Sequence, residues 1–318
     1  METIGTPLLW LVFGGVVIAA LLADLVLMRH GGPHKVSFNE AAWWSIGWVA
    51  LALAFNGWLW WYTGQRFGAQ AGSDIGMEFL TGYLVEKALA VDNIFVFLML
   101  FNYFAVPEMQ RQRALVIGII GAIVLRAILI FAGALLLSKF HWVLYVFGAF
   151  LLFTGIKMWR AAGQEPDLES NPVLRWLTAH IPFLRRYHGS ALWVGRGSRR
   201  KFTPLFIVII MLGITDVIFA VDSIPAIFAI TTDPFIVLTS NVFAVLGLRA
   251  MFFLLQGMAE RFHLLPYGLA LVLVFIGLKM LLIDVYKLPI LLSLGAVAVI
   301  IGSTIALSLM RPAKPHAS

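Results

Sequence analysis

Apolar runs of membrane-spanning length fill this sequence almost from end to end, which leaves it few ways to fold. Crossing a hydrocarbon layer takes about 20 residues of helix. Segments of that size lie at about 8–28, 41–62, 78–103, 112–137, 142–160, 204–230, 235–256, 262–283 and 288–310. A bilayer offers no water to satisfy backbone groups, so such runs can span only as helices. The expected fold is all-α: a polytopic membrane protein of about nine transmembrane helices, with residues 1–318 as a single transmembrane domain. Hydrophobic residues make up 61% and charged residues only 12%, and the mean hydropathy is +0.93, which excludes a soluble globular enzyme. The sequence has no Cys. Disulfides, thiolate catalysis and Cys-ligated metal are therefore ruled out, and any metal must be held by oxygen or nitrogen.

The net charge of +7 belongs to membrane orientation rather than to nucleic acid. With the N-terminus outside, cytoplasmic connections hold fifteen of the 23 Lys and Arg, from Arg29 and Lys35 to Arg311 and Lys314, and outer connections hold only Arg66, Lys139 and Lys287. That bias sets the N-terminus outside and the C-terminus in the cytoplasm. The opening METIGTPLLW has no basic region ahead of its apolar run, so the first span reads as retained. The one long connection, 161–203, carries an amphipathic stretch and the basic run GRGSRRK and is expected to face lipid headgroups.

Two stretches of the sequence repeat each other. Glu86 through Asp92, Asn93 and Ile94 in the third span is matched by Asp216 through Asp222, Ser223 and Ile224 in the sixth: a carboxylate, five residues, then Asp. Leu125-Arg126-Ala127 answers Leu248-Arg249-Ala250, and Tyr145 to Met158 answers Tyr267 to Met280. Each unit is three spans long, repeat one at about 78–160 and repeat two at about 204–283. An odd number of crossings makes them inverted copies, an arrangement found in secondary transporters with sites at the repeat interface. The spans at 8–28, 41–62 and 288–310 are then peripheral.

Charges inside spans are costly, at about 2.5–3.5 kcal/mol each near the bilayer centre. Glu86, Asp92, Asp216, Asp222, Arg126 and Arg249 must therefore face the interior and pair with one another or with a ligand. Six residues of helix turn by about 600° and rise about 9 Å, so the two acids of one span cannot clamp one small ion. Antiparallel crossing of the third and sixth spans would set Glu86 level with Asp222 and Asp92 level with Asp216. Pro225 cannot donate to the carbonyl of Val221 and should bend its span there. That carbonyl, with Asn93, Ser223 and Thr215, could complete a set of hard oxygen ligands suited to Mn²⁺, Mg²⁺ or Ca²⁺. Asn93 and Ser223 fit helix-to-helix hydrogen bonding equally well. Arg126 and Arg249 either keep the acids ionised and fill an empty site, or form a structural pairing. Lys87 is a partner for an acid of a neighbouring span or a snorkelling side chain, as are Lys157 and Lys279. Asp24, near the inner end of the first span, reads as an interfacial polar residue.

With those residues in view, EKALAVDNIFVF (86–97) and TDVIFAVDSIPAIFAITTDPFIVLTSN (215–241) resemble the paired signatures of the TerC family. GTPLLW (5–10), LTGYLVEKALAVDN (80–93), FGAFLLFTGIKM (147–158) and FAVLGLRAMFFLL (243–255) are most similar to its Alx-like branch. The resemblance covers all nine spans and fits poorly only over 161–200. It implies a multi-pass bacterial inner-membrane protein of divalent metal homeostasis, above all manganese export, with the acids at 86, 92, 216 and 222 in the pattern. The function expected is a secondary transporter that exports Mn²⁺, with protons as the exchange ion, no prosthetic group and no enzymatic activity. Membrane lipids and the metal ion are its expected partners, and nucleic acid is not one. Two rivals stand beside it. One is a non-transporting scaffold that supplies metal to exported metalloenzymes or supports stress resistance. The other is an intramembrane aspartyl protease using Asp92 with Asp222, against which stands the absence of Gly-x-Gly-Asp.

Overall fold

The computed structural model describes residues 3–30, 36–162, 174–176, 179, 184, 186–189, 191–195, 201–256, 262–286 and 288–310, with residues 27–30 and 92 described by their backbone alone. In chain order the helices are α1 (Pro7–His30), α2 (Phe38–Phe67), α3 (Ala69–Tyr103), α4 (Glu108–Lys139), α5 (Val143–Ala161), α6 (Pro204–Phe228), α7 (Pro234–Leu246), α8 (Leu248–Gln256), α9 (Leu265–Leu281) and α10 (Ile290–Met310). The described part of the long connection contains an antiparallel ribbon, β1 (Trp193–Val194) and β2 (Lys201–Phe202). Most of the amphipathic stretch and of GRGSRRK lies outside the described residues.

All nine apolar segments are helical over most of their length, and the seventh is not one helix but two. Among the described residues, α1, α4, α5, α6 and α10 are long and apolar enough to cross a bilayer, and α7 with α8, bent by 40°, makes a sixth if counted as one broken span. The other three fall short for physical reasons. α3 carries Asp74, Glu78, Glu86, Lys87 and Asp92, α9 has 17 residues, and α2 intersperses its Trp and Leu residues with Gly, Asn, Gln and charged residues.

Local chemistry sets the helix ends. Ser37 caps α2 by accepting from the Glu40 amide at 3.2 Å, with Glu40 at the third position as in a capping box. Gly68, at φ +99, joins α2 to α3 in a backbone region that side chains disfavour. Asp233 caps α7, accepting from the amide of Phe235 at 2.8 Å, and Pro234 takes the first helical position, where no amide is needed.

Glycines let the helices approach closely. A Cβ on Gly72 would meet the backbone of Gly64 at 2.6 Å, closing the α2–α3 hairpin. Gly118 faces Leu212, and Gly133 faces Phe228, so α4 runs parallel to α6. Gly82 abuts Ser240 and Lys87 reaches Ala244, so α3 runs parallel to α7. α5 and α9 run antiparallel: a Cβ on Gly148 would lie 3.1 Å from the Gly277 carbonyl oxygen, and one on Gly155 2.9 Å from that of Ala270. Every residue of α7 is buried, so it forms the centre of the bundle. Leu11, Trp43, Phe153, Leu291 and Val299 face outward, as a chain solvated by lipid tails requires.

Candidate functional site

The site is built around Arg126, a guanidinium with no exposed surface in the middle of α4. It faces inward because α4 packs its Gly118–Gly133 side against α6. Its Nε donates to Asp216 Oδ2 at 3.2 Å and its Nη2 to Asp216 Oδ1 at 2.9 Å, the two-pronged geometry that a planar guanidinium gives a carboxylate. Its Nη1 donates to Glu86 Oε1 and, at 3.1 Å, to Asn241 Oδ1. Four helices thus converge on one cation: α3 through Glu86, α4 through Arg126, α6 through Asp216 and α7 through Asn241. Two buried carboxylates face one guanidinium, so with both ionised the cluster carries a net negative charge.

Its hydrogen bonding is incomplete. Glu86 Oε2 is a buried acceptor with no donor, and Asn241 Nδ2 is a buried donor with no acceptor. The amide orientation follows from chemistry, since only the oxygen of Asn241 can accept from Arg126. Tyr83, about one turn before Glu86, and Ser223, about two turns after Asp216, also bury hydroxyls that lack partners. A small cavity beside Asp216 has room for about one water, roughly 10 Å³, between Phe97, Leu115, Gly118, Leu212 and Val245. Its walls are apolar.

The four expected ligands do not form one cage. Glu86 meets Asp216 across Arg126, where the sequence spacing had set Glu86 opposite Asp222. The reason is the parallel packing of α4 on α6 and of α7 on α3, which places the arginine between the carboxylates. Asp222 lies elsewhere, half-buried at the α5 side of α6, near Thr154 and the charge of Lys157. The side chain of Asp92 lies outside the described residues. Among the described residues no three His, Asp or Glu stand close enough together to hold a metal.

The supporting residues also divide. Asn93 and Ser223 are buried, and Thr215 is half-buried. Pro225 lies inside α6, and the Val221 side chain is 45% exposed on the outer surface. Lys87 donates to the Ala244 carbonyl at 3.1 Å. Arg249 does not repeat the role of Arg126: its Nε and Nη2 both donate to Asp24 Oδ1, the former at 3.1 Å. Asp24 is therefore a buried ion-pair partner, and its signal in the sequence was being the only charge inside the first apolar run. Asn241 was missed although it closes the second signature, because a single amide in an apolar run carries no spacing.

Long apolar helices packed around a buried arginine–carboxylate cluster define an integral, multi-pass membrane protein. The chain belongs to the TerC family, since the model for "Integral membrane protein TerC family" matches residues 71–316. Among its relatives, a Salmonella typhi protein and an Escherichia coli (strain K12) protein, both named "Putative membrane-bound redox modulator Alx", are each 54% identical to it. The first alignment covers 97% of this chain and 96% of the relative, the second 93% and 92%. A Myxococcus xanthus relative, "Uncharacterized membrane protein STKORF319", is 45% identical over 98% of this chain and 96% of its own length. No solved structure matches the chain.

Proposed function

We propose that this protein is a secondary transporter of the bacterial inner membrane that exports divalent metal ions, Mn²⁺ foremost, with protons as the exchange ion. The observation that carries the proposal is the convergence of Glu86 and Asp216, one from each three-helix unit, on Arg126, with one Glu86 oxygen left unpartnered. Buried charge at that depth is tolerated only where it is compensated, and here an arginine compensates for two carboxylates.

Inverted repeats are part of this reading, and paired contacts support them. Tyr145 and Tyr267 are equivalent in the two units, as are positions 162 and 284. The Tyr145 hydroxyl donates to Asp284, and that of Tyr267 donates to the Ala162 carbonyl at 3.1 Å. The contact of Gly148 with Gly277 and that of Gly155 with Ala270 exchange under the same equivalence. A two-fold axis in the membrane plane relates such pairs, and rocking about the α5–α9 seam is the corresponding motion. The parallel and antiparallel packing described above fits a nine-span path, and the charge bias of the connections is what favours the N-terminus outside.

In this mechanism Arg126 is the internal counter-ion of the empty carrier. In the conformation described, Arg126 bridges the two carboxylates beside a small apolar-walled cavity. A cation entering from the cytoplasm takes the place of Arg126 on Glu86 and Asp216, with Asp92 and Asp222 as further ligands along its route. Carboxylates must be ionised to bind metal, so protons compete with it, which supplies the exchange. Arg249 is kept out of the centre by Asp24 of α1, a helix outside the repeats, so the cluster keeps its surplus carboxylate.

The name carried by the relatives concerns redox. This chain has no Cys, so a redox effect cannot run through its own thiols, whereas control of a redox-active ion provides an indirect route. Uptake of ⁵⁴Mn²⁺ into inverted vesicles tests the proposal. Saturable uptake by wild type that is lost in Asp216→Asn and Glu86→Gln is the expected result. No flux in wild type, or full flux in both variants, overturns it and leaves the scaffold reading.

A further inference from the structure

We infer that the outer face of α5 carries a binding site for the phosphate of an anionic glycerophospholipid. Phe153, Ile156, Lys157, Arg160 and Ala161 recur at helical spacing along one stripe and line an open groove of about 570 Å³. Phe153 and Ile156 are 67% and 43% exposed, so the upper part of the stripe presents apolar surface to lipid tails. The lower part presents two cations one turn apart, and both Lys157 and Arg160 are exposed. From Phe153 to Arg160 the helix rises about 10 Å, the span from upper acyl chain to phosphate.

Depth is marked independently. Trp159 is stacked edge-on against Tyr267 at 5.2 Å, and the Tyr267 hydroxyl donates to the Ala162 carbonyl. Paired amphipathic aromatics of this kind sit at the headgroup boundary, so Lys157 and Arg160 stand where lipid phosphates lie, whichever leaflet that is. Charge selects the ligand. Neither cation has an ion-pair partner within 4.0 Å among the described residues. The carboxylate near Lys157 is Asp222 of α6, which lies beside Thr154. Among the described residues two cations face one carboxylate, so the groove carries net positive charge and attracts phosphate. A zwitterionic lipid brings its own amine to cancel that attraction, whereas an anionic lipid does not. The apolar upper wall points to a lipid rather than a free phosphate.

The test uses the full chain purified in detergent and titrated with phosphatidylglycerol or phosphatidylcholine, with bound lipid counted by native mass spectrometry. Near a membrane surface each basic residue contributes about 1 kcal/mol toward anionic lipid, so retention of phosphatidylglycerol about tenfold or more above phosphatidylcholine is expected. In Lys157→Gln/Arg160→Gln that preference should fall to near unity, while Lys157→Arg/Arg160→Lys keeps it. Lys139→Gln, an exposed cation at the opposite end of the bundle, should also keep it. If the double glutamine variant fails to fold, the single Arg160→Gln should lower the preference about threefold or more. Equal retention of both lipids by wild type, or an unchanged preference in the glutamine variants, overturns the site. Displacement of bound phosphatidylglycerol by millimolar glycerol 3-phosphate would assign the groove to a soluble phosphate instead and overturn the lipid assignment.

Discussion

Lys87 donates to the carbonyl of Ala244 at the place where the central helix of the bundle breaks. A helix end leaves carbonyls without amide partners and a partial negative charge. Here that end is buried, and a lysine from α3 satisfies it. A Cβ on Gly247 would lie 2.9 Å from Lys87 Nζ and 3.0 Å from Trp48 Cβ, so the break and the lysine occupy adjoining space. Lys87→Met should leave the Ala244 carbonyl unsatisfied and destabilise the protein by about 1–3 kcal/mol. Thermal unfolding in detergent reads this directly. An unchanged midpoint would mean that the lysine only snorkels.

Arg126 is the residue on which the site turns. Arg126→Gln leaves two buried carboxylates facing each other, a loss of about 3–5 kcal/mol where one member of a buried ion cluster is removed. Adding Asp216→Asn should restore part of it. If Arg126 is a counter-ion that the metal displaces, Mn²⁺ should raise the unfolding temperature of Arg126→Gln more than that of wild type. A smaller rise in the variant would reduce Arg126 to a structural role.

The salt bridge between Asp24 and Arg249 joins α1 to α8, and its members should be coupled. Either Asp24→Asn or Arg249→Gln alone leaves a charge unbalanced, so the double variant should be more stable than the sum of the single losses implies, by about 1–3 kcal/mol. Asp24→Asn should also impair transport more than Arg249→Gln, because it frees an arginine to enter the centre. Additive losses in stability and equal transport in the two single variants would deny both points.

Much of this could be read from residue order and some could not. The long apolar helices followed from apolar run length, because the bilayer imposes one length and one backbone solution. Of the nine runs read, five, or six with the broken pair, are long and apolar enough to span among the described residues. The partner of each acid did not follow, because spacing along a helix fixes direction only around its own axis. Glu86 meets Asp216 rather than Asp222 because Gly82 and Gly118 set how α3 and α4 dock on α7 and α6. The break at Gly247 was hidden inside an unbroken apolar run. Arg249 matched Arg126 in its sequence context, yet α1 supplied Asp24 as its partner.

The seam between α5 and α9 gives the sharpest test of the rocking motion. A Cβ on Gly277 would lie 2.8 Å from the Leu152 amide nitrogen and 2.9 Å from the Gly148 carbonyl oxygen. These are backbone atoms that cannot swing aside as a side chain can, so Gly277→Ala must push the two helices apart. Overpacking of this kind costs about 1–3 kcal/mol. Gly302→Ala, with nothing within 4 Å, should cost nothing comparable and serves as the control. If the seam is the axis of transport, Gly277→Ala should also slow ⁵⁴Mn²⁺ flux while leaving the stabilisation by bound Mn²⁺ unchanged. A variant that unfolds earlier yet transports at the wild-type rate would leave the seam as packing and place the moving surface elsewhere, between α4 and α6 or α3 and α7.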